Sequence, residues 1–374
     1  MSMSLTGSLE VEKSRLETQR ARRTQKAIQL ADTGLASLAF VLLFAEDALR
    51  AVLGDAIGVA LATVICVLYS LRLLRHWRSV RWMRMPLMLV LFLLATGVSL
   101  LWSQNLESSL ISWVIALATA GAAIGMTMLL PWTALVKALG TALRWVVGLG
   151  FVLEAIAVFV THGPLWVLTG HRDMLSFAAL MLLIVLPLQL AERTVWRGWA
   201  YIWLLIALAT LVYTQSMQSW LALIAVIIVR GFVAWARAID PQKRRPLYVV
   251  SVGLFIGLGV ALVSTWPEFA AATTRGSWVA LISASSTVGV VFFVALVVTT
   301  VWRSWFVAVD RPQWDLDTHR AFTATSMLPI LTTTALVVTG AFDARLTLAS
   351  GLLLLVICAV VTKYPERLRG ENRY

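Results

Sequence analysis

Apolar runs of about 18 or more residues recur from one end of this chain to the other, and no other feature constrains the fold as strongly. Such runs match the thickness of a bilayer core. In lipid a backbone group has no water to bond, so each segment must satisfy its own hydrogen bonds as a helix or within a closed barrel. The expected fold is an all-α polytopic membrane protein of about twelve transmembrane helices. They are placed near 30–47, 56–74, 85–102, 109–130, 139–161, 174–190, 198–213, 218–236, 246–264, 277–301, 321–339 and 346–362. Composition agrees: 60% of the 374 residues are hydrophobic and 13% charged, against about 25% charged in soluble domains. Residues 1–29 read as a basic cytoplasmic segment without the apolar core of a signal peptide, 30–362 as the membrane domain, and 363–374 as a cytoplasmic tail.

Lys and Arg orient the chain, because cytoplasmic loops of membrane proteins concentrate them. With the N-terminus cytoplasmic, 26 of the 31 fall on inner segments and four (Arg50, Arg172, Arg275 and Arg345) on outer ones. Arg144 lies near the inner end of the fifth span and can snorkel. Both termini are expected to be cytoplasmic. The net charge of +12 is then a topology signal rather than a mark of nucleic-acid binding. The Arg- and Trp-rich stretch Arg72–Arg84 sits between two spans, where contact with anionic lipids is expected. Trp102, Trp132, Trp199 and Trp266 fall near span ends and suit an interfacial belt. Cys66 and Cys358 lie inside apolar runs and read as small core residues. Gly121–Gly125 and Gly253–Gly257 have the GxxxG spacing of close helix packing.

The outer face carries the candidate chemistry. In "LTGHRDMLSFAALMLLIVLPL", His171, Arg172 and Asp173 stand at the entry to the sixth span. Two readings stay open there: Asp173 caps the helix while Arg172 anchors to headgroups, or Arg172 holds a phosphate presented from the outer leaflet. Arg275 and Arg345 could converge with Arg172 on one anion, or pair with Glu268, Asp343 and Asp173. Glu154 is the one carboxylate well inside a span, a functional candidate or the partner of Arg172 in a structural ion pair. The "HRD" triplet lacks every other kinase motif, and the His residues lack metal-ligand spacing, so no metal or cofactor is expected.

Four segments resemble a known family. "LFLLATGVSLLWSQN" is similar to the Ser-x-x-Trp-Ser signature of O-antigen ligase and polymerase-like proteins. The Arg172 segment resembles their Gly-x-Arg-Asn-x-Leu motif, with Asp173 at the Asn position. "TQSMQSWLALIAVIIV" resembles the Thr/Ser-rich start of a later span, and "VWRSWFVAVDRPQW" looks like actinobacterial members. The resemblance implies a metal-independent glycosyltransferase of the bacterial cytoplasmic membrane, joining or polymerising glycans carried on undecaprenyl diphosphate during envelope polysaccharide assembly. It implies a polyprenyl-diphosphate-linked glycan as ligand, held by Arg172, Arg275 and Arg345, and an envelope-assembly protein as a further partner. The chain departs from the pattern twice. The family's large outer loop with its catalytic His is replaced by "STWPEFAAATTRG", where Arg275 matches the His, Gly276 the Asn and Ser286 the first Gly. Gln215 and Gln218 stand where the family keeps an Arg. Activity would then need Glu154 or His171 as the base. The other readings are a non-catalytic binder of lipid-linked glycan, or a multi-span transporter whose Glu154 couples a proton.

Overall fold

The computed structural model describes residues 30–75, 85–103, 106–161, 172–239, 287–309, 323–343 and 346–364. All regular structure among them is helical. The helices are α1 (Leu30–Phe44), α2 (Glu46–Leu53), α3 (Asp55–Arg75), α4 (Leu87–Ser99), α5 (Leu106–Leu129), α6 (Trp132–Thr161), α7 (Arg172–Ala191), α8 (Arg197–Thr214), α9 (Met217–Ala238), α10 (Thr287–Val309), α11 (Leu328–Phe342) and α12 (Ala349–Lys363). A 3-10 turn, Leu100–Trp102, extends α4, and another, Ala324–Met327, leads into α11. Eight helices among the described residues are long and apolar enough to cross a membrane, and three shorter apolar helices accompany them. Ile224, Ile227 and Ile228 on α9, and Val291 and Val298 on α10, are exposed, a surface suited to lipid rather than water.

In lipid both faces of a helix can be apolar, so hydrophobicity does not say which helices go inside. Small and hydroxyl residues let backbones approach closely where helices do pack. α7, α11 and α12 are the interior helices, and every residue from Ala349 to Thr362 is buried. Several of their hydroxyls are satisfied within their own helices: Thr333 donates to Pro329 O (2.8 Å), Thr339 to Ala335 O (2.8 Å) and Thr362 to Cys358 O (2.8 Å). That back-bonding removes most of the cost of burying a hydroxyl. The Gly121–Gly125 pair behaves as its spacing predicts: Gly121 lies against Ser70 and Gly125 against the Tyr69 carbonyl of α3, with no room for a Cβ at Gly121. Gly253–Gly257 lies outside the described residues.

Cross-helix contacts sort the helix ends into two sets. At one end Gln189 donates to Val136 O, Glu192 accepts from Thr325, Arg237 donates to Ala308 O and Ser326, Lys363 donates to Met85 O, and Arg72 pairs with Asp32. This is the cation-rich end. At the opposite end Tyr213 meets Glu154 and Ser216 meets Asp173. Because Arg237 and Ala308 both lie near helix C-termini, α9 and α10 run parallel, the relation that an odd number of crossings between them produces. The ninth expected span, 246–264, lies outside the described residues.

Several expected boundaries need correction. α6 begins at Trp132 rather than 139, because a single exposed Lys137 does not break a helix. α10 runs on to Val309, past Arg303, instead of stopping at 301. The first span ends at Phe44, and an unforeseen short helix, α2, follows with Glu46 paired to Arg50. Trp102 and Trp199 are exposed as a belt requires, but Trp132 is buried (3% exposed) beside Leu328, Leu354 and Cys358 and is a core residue. Cys66 and Cys358 are free and buried.

Candidate functional site at the cation-poor end

Four helix ends meet at the cation-poor end. α8 stops at Thr214, α9 starts at Met217, and the whole connection between them is Gln215 and Ser216. Gln215 takes a left-handed conformation (φ 48°, ψ 33°), unusual for a side chain other than Gly or Asn, and Ser216 is extended (φ −77°, ψ 109°). A turn this tight drives Ser216 inward, where it is buried.

The Ser216 hydroxyl donates to Asp173 Oδ1 at 2.9 Å, tying the start of α9 to the first turn of α7. One turn deeper, Ser176 donates to the Asp173 carbonyl (2.9 Å), and its Oγ lies 2.8 Å from that of Ser219. Ser219 in turn donates to Ser216 Oγ at 3.4 Å. Ser176 and Ser219 are both fully buried. Asp173 therefore does not cap α7, as one of the sequence readings held. The helix already includes Arg172, and the Asp173 carboxylate is turned to a neighbouring helix.

Glu154 sits about two turns before the end of α6 and is buried. Tyr213 donates to Glu154 Oε2 at 3.4 Å. The α8–α9 connection thus touches two carboxylates of this end, Glu154 through Tyr213 and Asp173 through Ser216. Arg172 is the first residue of α7; its side chain, and the whole of His171, Arg275 and Arg345, lie outside the described residues. The structure joins Asp173 to Ser216 and Glu154 to Tyr213, and does not place the three Arg residues relative to each other.

Sequence reasoning missed Tyr213, Ser176, Ser216 and Ser219. A signal for the serines existed: Asp173/Ser176 and Ser216/Ser219 are both i, i+3 pairs at helix starts, each presenting two short polar groups on one face. Tyr213 carried no comparable signal. Chemically, the cluster offers hydroxyls and carboxylates that can donate to or accept from a polyhydroxylated ligand. Ser216 and Asp173 form a hydroxyl–carboxylate pair, and among the described residues no three of His, Cys, Asp and Glu gather as metal ligands. Comparison with protein-family models, with curated proteins and with solved structures finds no match.

Proposed function

We propose that this protein engages undecaprenyl-diphosphate-linked glycans at the outer face of a bacterial cytoplasmic membrane and serves envelope polysaccharide assembly, with glycan transfer itself impaired. The observation that carries the reading is the pairing of two segments forty residues apart. The Arg172–Asp173 segment and the Thr/Ser-rich start of α9, two of the stretches that resemble O-antigen ligase-like proteins, are hydrogen-bonded side by side through Asp173, Ser176, Ser216 and Ser219. Both lie at the end poor in cations, the outer end if the Lys and Arg bias sets orientation. Arg172 opens α7 at that mouth. Its guanidinium suits a diphosphate because it is always charged and can grip two phosphate oxygens at once.

Impaired transfer follows from what the chain lacks. The loop carrying the family's catalytic His is short here, Arg275 replaces that His, and Gln215 and Gln218 replace an Arg. The Glu154 carboxylate, one of the two substitutes, already accepts from Tyr213. A bound glycan would be retained or passed on rather than joined.

The test is binding of undecaprenyl-diphosphate glycan to purified protein. Arg172→Ala should weaken it by roughly ten- to a hundredfold, the worth of a charge-assisted contact. Arg172→Lys should recover only part, since an ammonium cannot make the paired contact. Equal binding by the wild type and Arg172→Ala would leave Arg172 as a headgroup anchor and end the diphosphate reading. Efficient glycan transfer by the wild type would overturn the claim of impairment alone.

A further inference from the structure

Arg144 lies about 18 Å along α6 from its start at the cation-rich end. It is half-buried, and no carboxylate pairs with it among the described residues. Its Nε donates to Gly140 O (2.9 Å) and one Nη to Thr141 Oγ1 (3.3 Å), so the side chain bends back toward the cation-rich end. Two neutral contacts leave most of its five N–H donors unused and its charge uncompensated. A charged group on a membrane-spanning helix is expensive unless something answers it.

The surroundings say what could. Lys137, Thr141, Arg144 and Gly148 follow the i, i+4, i+7, i+11 spacing of one helix face. That face looks toward α8, since a Cβ on Gly148 would stand 2.7 Å from the Trp203 ring. α6 and α8 run parallel, Gly148 meeting Trp203 and Glu154 meeting Tyr213. The same register sets Arg144 level with Trp199, which packs edge to face with Trp203 at 5.9 Å, and Lys137 one turn beyond the exposed Trp196 that precedes α8, toward the cation-rich end. Beside Arg144 the surface opens to lipid, with Trp145 61% and Leu149 53% exposed.

We propose that the surface where α6 meets α8 at the cation-rich end binds the phosphate of an anionic phospholipid from the adjoining leaflet, Arg144 and Lys137 holding the phosphate and Trp199 the headgroup boundary. The charge of the lipid complements two cations on one helix face. The indole rings suit the depth at which a headgroup meets its acyl chains. This site is separate from the glycan site at the other end and does not depend on it.

The test uses the full chain in detergent, titrated with phosphatidylglycerol or phosphatidylcholine and read by native mass spectrometry. The wild type should retain phosphatidylglycerol in preference to phosphatidylcholine. Arg144→Gln should weaken phosphatidylglycerol retention about tenfold or more, Lys137→Gln should weaken it less, and Arg75→Gln, an exposed cation on α3, should leave it unchanged. If Arg144→Gln fails to fold, Lys137→Gln and Trp199→Ala, both at exposed positions, decide the matter: unchanged retention in both overturns the proposal. Equal loss in Arg75→Gln would also overturn it, reducing the effect to general surface charge. So would displacement of the lipid by millimolar inorganic phosphate, which would make this surface a site for free anions.

Discussion

The two ends of the bundle are fastened by different chemistry. At the cation-rich end, long side chains cross between helices to reach backbone groups: Arg237 to Ala308 O (2.7 Å), Lys363 to Met85 O (2.6 Å), Gln189 to Val136 O (2.9 Å) and Glu192 to Thr325 N (2.9 Å). At the cation-poor end the links are short hydroxyls around Asp173, with Glu154 taken by a Tyr. Charged contacts to orphan backbone groups near helix ends stabilise strongly, because the alternative is an unsatisfied group away from water. Contacts between hydroxyls, as between Ser176 and Ser219, contribute less and rearrange at lower cost. The first end is built as a lock; under the proposed function the second is the end whose partners a ligand would exchange.

That contrast can be broken outright by sidedness. Cysteine introduced at the exposed Gln215 should react with an impermeant label from outside the cell, and cysteine at the exposed Arg193 should not. Cys66 and Cys358 are buried and should stay silent as background. Labelling of both positions from one side would dissolve the two-ended picture.

The largest effect on stability is expected at the lock. Glu192 accepts from both the backbone N and the Oγ1 of Thr325, so Glu192→Ala should cost about 3 kcal/mol by removing a charged acceptor and orphaning a backbone donor. Thermal unfolding in detergent measures it. Gly121→Ala comes next, at about 1–2 kcal/mol, because its Cβ would stand 2.4 Å from Ser70 Oγ. A loss there as large as that of Glu192→Ala would show that close helix packing matters as much as the lock.

The smallest stability changes are expected at the exchangeable end. Ser216→Ala removes one hydroxyl from Asp173 and should cost about 1 kcal/mol, while altering glycan binding more than any equally mild change at the other end. Glu154→Gln keeps an acceptor for Tyr213 and should shift stability by only about 0.5 kcal/mol. If that variant instead removes a pH-gradient response in vesicles, Glu154 couples protons and the transporter reading replaces the glycan one.

The sequence by itself determined the medium and the helices, since a bilayer leaves a long apolar run few other ways to satisfy its backbone. Eleven of the expected spans have a helix among the described residues, and Gly121–Gly125 could be read as a close approach before any neighbour was known. Boundaries failed where one charged residue sat inside a continuing helix, as at Lys137 and Arg303, because side chains reach out of the membrane while the backbone stays helical. Only the tertiary structure decided that α7, α11 and α12 lie inside, since lipid and protein interior are equally apolar and hydropathy cannot tell them apart. It alone gave Asp173 to Ser216 and Glu154 to Tyr213, and Glu192 to a threonine 133 residues away. Such pairings depend on the rotation and depth of two packed helices, and neither quantity is written in the local sequence of either one.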